Sequence, residues 1–395
     1  MLIKNSGAKI RFFFKLRYND VLKGEKGIRI AMAVTNDLVT DRRVDRHCRE
    51  LMSAGYDVVL YGRQLPGSQV VERPYRTERL VLRHVRGPRF YAEFNRRLAQ
   101  RLEEEEPEVV WANDSDTLPG CWAAAHRLGC RLVLDAHELF PELPEVIGRG
   151  VVRGAWKLIN RCLLPRCDAM LTVCESFADY YRKHNGVEAV VVRNVQATDV
   201  RVEPKGKTER NPVLLYQGAV NVGRGVDWAI DALEYLPECR LKVAGGGDLI
   251  EEMRQYAASK PWAERIEFLG LLPHEEVDRL TPTADVGLMM LEDMGLSYHL
   301  TLPNRVGDFV AAGVPMVASE MPETARVIKQ YGVGELMDGP GPRALAAAVT
   351  RLLERWKRLD GEQRRELFAA AREDMDWKKE RLKLIKVIEN LKIER

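Results

Sequence analysis

The strongest constraint on the fold is an alternation of short β-branched apolar runs with longer segments of helical periodicity, which continues from residue 28 almost to the C-terminus. This alternation is typical of parallel sheets whose strands are joined by crossover helices. It occurs on both sides of a polar stretch, 197–211, that has no apolar periodicity. The sequence therefore predicts an α/β fold of two Rossmann-like, doubly wound domains.

The predicted elements divide the chain at the polar stretch. In the first half the predicted strands are 28–34, 57–61, 79–85, 108–112, 131–135, 169–173 and 189–192. In the second half they are 212–217, 240–244, 265–269, 285–289 and 315–318. A chain of 395 residues is long enough for two cores. We place an N-terminal domain at 1–200, a second domain at 201–375 and a final helix at 376–395.

Composition narrows the class of protein. The formal net charge of +3 is too small to indicate nucleic-acid binding. The seven cysteines form no Cys-x-x-Cys pair, so we expect neither a structural metal nor a disulfide framework, and a reducing, cytoplasmic location. No run of eighteen apolar residues occurs, so membrane contact could only be peripheral. Two basic segments with aromatic residues, 9–18 and 73–101, are candidates for contact with anionic lipid, although both also fit a leader or a solvated helix face.

Polar side chains follow several strands of the first half, where an open parallel sheet binds its ligands. They are Asn36, Asp37 and Arg43 after the first strand, Asp114 after the fourth, and Asp135, His137 and Glu138 after the fifth. We assign the first four to the acceptor side and the last three to catalysis. A single polar residue at such a turn is more often a helix cap, and a lone histidine is more often structural. The carboxylates that flank His137 favour a functional interpretation.

Glycine-rich turns follow the first two strands of the second half. One carries Gly218, Arg224 and Gly225, and the other carries Gly245 and Gly246. Glycines let the backbone approach a phosphate group, and an arginine adds a permanent positive charge beside it. One such turn is a weak signal, but two in one sheet are more specific. Neither half contains a Gly-x-Gly-x-x-Gly motif after its first strand, which argues against a dinucleotide-dependent dehydrogenase.

The segment 298–315 carries the most information. Leu302, Pro303 and Asn304 fit the opening of a helix whose unpaired N–H groups would attract an anion such as a diphosphate. Arg305 adds charge in the first turn, and Asp308 could accept hydrogen bonds from ribose hydroxyls. The alternative is that Asp308 only complements the helix dipole.

With these residues together, the chain resembles glycosyltransferase family 4, from about residue 28 to the C-terminus. The resemblance rests on Asp41-Arg42-Arg43-Val44, the run from Asp135 to Glu142, Gln217-Gly218 with Arg224-Gly225, Gly245-Gly246-Gly247, Leu302-Pro303-Asn304-Arg305 and Ala312-Gly313-Val314-Pro315. It implies two facing Rossmann-like domains, called the glycosyltransferase B (GT-B) fold, and a transfer that retains the configuration of the sugar. It also implies a nucleotide-sugar donor and a final helix that packs back on the N-terminal domain.

The resemblance assigns roles to three residues. Arg224 matches the basic residue that grips the diphosphate, Asp308 the acidic residue that holds the ribose, and His137 the histidine that faces the transferred sugar. The chain departs from the family pattern at two positions. Leu300 stands where many members have a first glutamate, and Ala219 stands where many have an arginine. Arg305 is well placed to compensate.

The resemblance implies a donor that binds without a metal. The donor domain has no Asp-x-Asp after a strand, a pair that would hold a divalent cation, and we expect no cofactor. The expected partners are a nucleotide sugar, a glycan or lipid-linked acceptor and, peripherally, an anionic membrane. Two other functions stay open. An epimerase or hydrolase of the same fold would need carboxylates poised at the sugar, and the leucine at position 300 is compatible with a catalytically silent nucleotide-binding module.

Overall fold

The computed structural model describes residues 27–39, 41–198, 204, 211–391 and 393. The basic segment 9–18 lies outside these residues, as does most of the polar stretch between the two halves. The predicted fold class is confirmed, because the chain forms two separate parallel sheets, each with helices on both faces.

The first sheet has seven strands in the order β3-β2-β1-β4-β5-β6-β7. They are β1 (Arg29–Ala33), β2 (Asp57–Gln64), β3 (Arg76–Val81), β4 (Val109–Asn113), β5 (Arg131–Ala136), β6 (Ala169–Thr172) and β7 (Val190–Val191). The helices between them are α1 (Arg42–Ser53), α2 (Gly87–Glu105), α3 (Leu118–Leu128), α4 (Pro144–Ile147), α5 (Gly150–Leu163) and α6 (Glu175–Asn185).

The second sheet has six strands in the order β10-β9-β8-β11-β12-β13. They are β8 (Val213–Gln217), β9 (Arg240–Ala244), β10 (Ile266–Gly270), β11 (Val286–Met289), β12 (Met316–Ala318) and β13 (Gly334–Leu336). The helices are α7 (Val226–Ala232), α8 (Ile250–Ala258), α9 (His274–Leu280), α10 (Leu296–Leu300), α11 (Asn304–Ala312), α12 (Pro322–Tyr331), α13 (Pro342–Arg358), α14 (Gly361–Asp374) and α15 (Trp377–Glu389).

The strand order places ligand-binding loops at one edge of each sheet. In both sheets the first strand of the domain lies in the middle, and the chain winds outward first to one side and then to the other. β1 pairs in parallel with β2 and β4, and β8 with β9 and β11. The order therefore reverses beside β1 and β8, and in such sheets the ligand site lies outside the carboxyl ends of the strands at the reversal.

Helix α15 covers one face of the first sheet. Its buried side chains Trp377, Leu384 and Ile388 share an apolar cluster with Ile30 and Met32 of β1. Trp377 Nε1 donates a hydrogen bond to Glu50 Oε1 of α1 at 2.8 Å. The C-terminal segment thus completes the core of the N-terminal domain. The exact domain boundaries stay a prediction, because most connecting residues lie outside those described.

Candidate active site

A cavity of about 490 Å³ lies between the two domains, at the carboxyl ends of both sets of strands. It brings together many of the residues singled out in the sequence: Arg43, His137 and Glu138 from the first domain, and Gly218, Arg224, Leu302, Pro303, Asn304, Arg305 and Asp308 from the second. A second cavity of about 280 Å³ adjoins it and is lined by Gly218, Gly245 and Gly246. Gly225 lies on a different cavity, on the far side of its loop.

The two glycine-rich turns of the second domain pack directly on one another. Gly245 has a φ of +157°, and a Cβ atom there would lie 1.8 Å from the carbonyl oxygen of Gly218. Gly218 has a φ of +133° and lies under the side chain of Arg305. Only glycine permits this approach, which leaves exposed backbone as the floor between the two cavities.

Arg305 is a buried cation that forms no ion pair with any of the described residues. Its residue is 8% exposed, and its guanidinium lies 4.8 Å from the centroid of the Tyr216 ring. Among the described residues, nothing accepts a hydrogen bond from Nη1. Because a buried charge is costly unless it is paired, the cavity favours an anionic ligand at this point.

Arg224 faces the same cavity from the loop after β8. Its guanidinium stacks over Tyr298 at 4.7 Å, and Nη2 donates to the Tyr298 hydroxyl at 3.3 Å. Helix α11 begins beside it with Pro303 at the N-cap and no side chain capping its first turn. Two arginines and an uncapped helix N-terminus therefore converge on one region, an arrangement that suits a diphosphate.

Asp308 lies one turn into α11 and is held by two side-chain amides. Gln196 Nε2 donates to Oδ1 at 2.7 Å, and Gln217 Nε2 lies 3.3 Å from Oδ2. Burial raises the pKa of Asp308, against the hydrogen bond from Gln196. Gln196 comes from the connection after the first domain, so both domains contribute to the surroundings of this carboxylate.

Asp135 is the centre of a buried network in the first domain. Arg43 donates to both of its carboxylate oxygens, at 3.0 and 2.7 Å. His47 Nδ1 lies 3.2 Å and His137 Nε2 lies 3.0 Å from Oδ2. Although burial opposes its ionisation, Arg43 and His137 hold the pKa of Asp135 well below its usual range. Asp135 itself lies behind the cavity wall and acts through its partners.

His137 lies between two carboxylates. Nδ1 is 3.3 Å from Asp114 Oδ2, while Asp114 Oδ1 accepts the backbone N–H groups of His137 and Glu138 at 2.7 and 3.2 Å. Burial alone would lower the pKa of His137, but Asp114 and Asp135 raise it to about 9. Asp114 and Asp135 therefore favour the protonated, positively charged form of the imidazole.

Asn36 and Asp37 stabilise the loop after β1 and do not line the cavity. The Asn36 side chain donates to Asp41 Oδ2 at 2.7 Å, and its oxygen accepts the Leu38 N–H at 2.9 Å. Asp37 accepts from Ser68 Oγ at 2.7 Å. These contacts are those of a turn and helix cap, so the geometry gives them a structural part; their assignment to an acceptor stays a prediction.

Several residues of the cavity wall were not singled out by the sequence. Arg42 and Arg46 reach the wall from α1, and Tyr298 from α10. The Asp41-Arg42-Arg43 run indicated this region of the sequence. It did not indicate that Arg42 and Arg46 would face the cavity. Gln196 had no local signal, because it lies between the last predicted strand of the first half and the polar stretch 197–211.

The two departures from the family pattern have different surroundings. Leu300 is half-buried and packs on the core, and its carbonyl accepts a hydrogen bond from Cys174 Sγ at 3.3 Å. It does not line the cavity wall. Ala219 does line the wall, next to the guanidinium of Arg305 over Gly218.

Two further features bear on cofactors and membranes. Within the described part of the chain, no group of three or more His, Cys, Asp or Glu side chains is placed to hold a metal ion. No helix in that part is both long and apolar enough to cross a membrane. The absence of a cofactor and the cytoplasmic location stay predictions.

Known families and structures match the chain along most of its length. The family Glycosyltransferase Family 4 matches residues 40–195, and Glycosyl transferases group 1 matches residues 211–355. A GDP-mannose-dependent alpha-(1-6)-phosphatidylinositol monomannoside mannosyltransferase of Mycolicibacterium smegmatis is 28% identical over 147 residues. That match covers 36% of this chain and 38% of the relative, so little more than a third of the relative's length is matched.

Solved structures of the same architecture cover nearly the whole chain. Sucrose-phosphate synthase from Thermosynechococcus elongatus has a TM-score of 0.74 at 17% identity, over 92% of this chain and 98% of its own. Anabaena HepE in complex with UDP-glucose has a TM-score of 0.70 at 13% identity, over 92% of this chain and 100% of its own. At these identities the likeness establishes the fold alone. Together with the two family matches, it shows that the chain belongs to the family 4 glycosyltransferases of the GT-B fold.

Proposed function

We propose that the protein is a glycosyltransferase that moves a sugar from a nucleotide-diphosphate sugar to a glycan or lipid-linked acceptor. The observation that carries the proposal is the buried side chain of Arg305, which lines the cavity between the domains and whose Nη1 has no hydrogen-bond partner among the described residues. Arg224 and the N-terminus of α11 lie on the same wall. A diphosphate would supply the negative charge that these groups require.

The arrangement assigns a part to each domain. The second domain would hold the diphosphate at Arg224 and Arg305 and the ribose at Asp308. The first domain would present the His137 imidazolium and Glu138 to the sugar. As the bond to the sugar breaks, charge develops on the departing diphosphate, and fixed positive groups stabilise that charge in the transition state.

Retention of configuration is part of the proposal. The acceptor hydroxyl would attack from the face that the diphosphate leaves, so that a diphosphate oxygen takes its proton. The surroundings of His137 support this course, because Asp114 and Asp135 favour the protonated imidazole, which has no lone pair left to take the proton of the acceptor hydroxyl. NMR of the product's anomeric proton would distinguish retention from inversion.

Ligand-induced stabilisation tests the donor half of the proposal. A ligand that binds only the native state raises the melting temperature by mass action. We expect nucleoside diphosphates and at least one nucleotide sugar to raise it, and EDTA to leave the shift unchanged. No shift with any uridine, guanosine, adenosine or thymidine diphosphate would contradict the proposal. Conversion of a nucleotide sugar to its epimer without acceptor would instead identify an epimerase.

A further inference from the structure

Helix α5 presents an apolar stripe to solvent. Val151 is 90% exposed and Leu158, two turns later, is 62% exposed. Gly154 and Ala155 between them are also exposed, and Ile147 at the end of α4 is 37% exposed. Val151 and Leu158 are seven positions apart and therefore lie on the same side of α5, and Ile147 precedes this helix by three residues. A helix of a globular domain usually buries such a stripe, and an exposed one marks an interaction surface.

The stripe is surrounded by positive charge. Residues 144–166 contain five arginines and lysines but only one acidic residue, Glu145. Arg149, Lys157, Arg161 and Arg166 are exposed. Arg153 is half-buried and pairs with Glu142 at 2.5 Å, so its charge is neutralised and does not add to the positive charge around the stripe. The other arginine-rich segment, 73–101, is paired only in part. Arg76, Arg97 and Arg101 each pair with a glutamate, whereas Arg83, Arg86 and Arg89 are exposed.

The opposite side of α5 fixes this surface beside the active site. Trp156 packs edge-on against Phe140 at 5.0 Å and against Tyr91 at 5.4 Å. Phe140 is three residues beyond His137. Ile147 contacts the start of α10, where a Cβ atom on Gly295 would lie 2.4 Å from Ile147 Cδ1. Through Ile147, the stripe is therefore connected to the segment that leads into Ser297 and Tyr298, which line the cavity.

We propose that the α5 face, which consists of Ile147, Val151 and Leu158 with Arg149, Lys157 and Arg161, docks on an anionic membrane surface. An apolar stripe flanked by cations is the pattern of a helix that lies in the lipid interface. The apolar side chains enter the headgroup region while the cations contact lipid phosphates. Pairing with a second copy of the chain would bury the same stripe but would bring like charges together.

Docking in this orientation has a consequence for the acceptor. It would bring α10, whose Tyr298 lines the cavity, toward the lipid headgroups, where a lipid-linked acceptor could reach the donor sugar. This consequence rests on the proposed function, whereas the docking itself does not.

Vesicle flotation tests the docking without any sugar transfer. The full chain is mixed with vesicles of phosphatidylcholine, with or without phosphatidylglycerol. We expect the wild type to float with the anionic vesicles. The double variant Val151→Ser/Leu158→Ser should bind about tenfold more weakly, because two apolar insertions are lost. Lys157→Gln/Arg161→Gln should lose the preference for anionic lipid.

Val70→Ser/Val222→Ser is the matched control. These side chains are 83% and 60% exposed and lie outside the α5 face, so the control should float like the wild type. All substituted side chains are exposed, and melting temperatures confirm that the variants are folded. Equal flotation of the Val151→Ser/Leu158→Ser variant and the wild type, or no flotation of the wild type, would overturn the proposal. A lipid-free dimer that only this variant dissociates would identify the face as a self-association surface instead.

Discussion

Arg305 is the residue whose environment depends most on a ligand. Its guanidinium is almost fully buried, lies on an aromatic ring and forms no ion pair with the described residues, so a negatively charged ligand would offset the cost of burying it. Arg224 shares the wall but is only half-buried and already donates to Tyr298. Arg305 should therefore contribute more to diphosphate binding than Arg224, although the family pattern gives the diphosphate contact to Arg224.

Replacing Arg305 should weaken nucleotide binding strongly. Arg305→Ala removes a charge-assisted contact of about 1.5–3 kcal/mol, which corresponds to a rise in Kd of roughly tenfold or more for a nucleoside diphosphate. Titration calorimetry measures this. Arg343→Ala is a suitable control, because Arg343 also stacks on a tyrosine of the second domain, Tyr235, but on the surface. Equal Kd values for both variants would remove Arg305 from the site.

His137 should give the protein a pH-dependent stability. In the folded protein its pKa is raised to about 9, from about 6.5 in an unfolded chain. The stabilisation from its positive charge is therefore complete below about pH 6.5 and is lost as pH rises through about 9. Urea unfolding should show the wild type losing stability between these values. His137→Gln should flatten that loss, and an unchanged slope in the variant would contradict the assigned charge state.

Single residues could be predicted from the sequence where they follow a strand. His137, Gly218 and Arg305 lie on the cavity because the carboxyl ends of parallel strands meet at one edge. Gln196 and Tyr298 could not be predicted, because they reach the site through contacts between distant parts of the chain. The ion pair of Asp135 with Arg43 could not be predicted either, because Arg43 is 92 positions away and contacts Asp135 only in the folded domain.

At the scale of elements, the C-terminal helix α15 makes its contacts with residues that are far from it in the sequence. Trp377 stacks on His47 at 5.7 Å, and its backbone N–H donates to the Gln196 carbonyl at 3.0 Å. His47 touches Asp135 and Gln196 touches Asp308, so one residue of α15 adjoins both networks of the site.

Truncating Trp377 should destabilise the protein without any lipid present. Trp377→Ala removes most of a side chain that is 6% exposed and leaves Glu50 without its hydrogen bond. A loss of about 3–5 kcal/mol in the free energy of unfolding is expected. Leu382→Ala, on the same helix but 42% exposed, should change it little. If Trp377→Ala and Leu382→Ala both changed the free energy of unfolding only slightly, and deletion of 376–395 abolished vesicle binding, α15 would be identified as a membrane helix instead.

Most strands could be predicted from apolar runs, and β9 matches at both ends. β2 ends three residues beyond its predicted end at 61, and β3 ends four residues before its predicted end at 85. Two further differences have clear reasons. β3 begins three residues before its predicted start, because its half-exposed residues Arg76 to Glu78 carry polar side chains that do not read as a buried strand. β13, Gly334–Leu336, was missed because three residues with one apolar side chain give no periodicity.

At the scale of the molecule, the site exists only where the two domains meet. The Leu139 N–H donates to Ser297 Oγ at 3.2 Å, and the Ser176 N–H donates to Glu323 Oε1 at 2.8 Å, both across the cleft. Apolar periodicity predicts two domains but contains no information on how they face each other. The resemblance supplied that arrangement, and the structure adds the contacts that hold it.

The central claim is that the cavity between the domains binds a nucleotide sugar and transfers its sugar. The most direct measurement incubates the full chain with a panel of nucleotide sugars and with lipid and glycan acceptors, and follows both nucleoside diphosphate release and the mass of the acceptors. We predict that one donor gives diphosphate and an acceptor heavier by one sugar, and that Arg305→Ala lowers the rate of both roughly tenfold or more at low donor concentration, while Arg343→Ala does not. Binding of a nucleotide sugar without transfer to any acceptor, or transfer that Arg305→Ala leaves intact, would contradict the account.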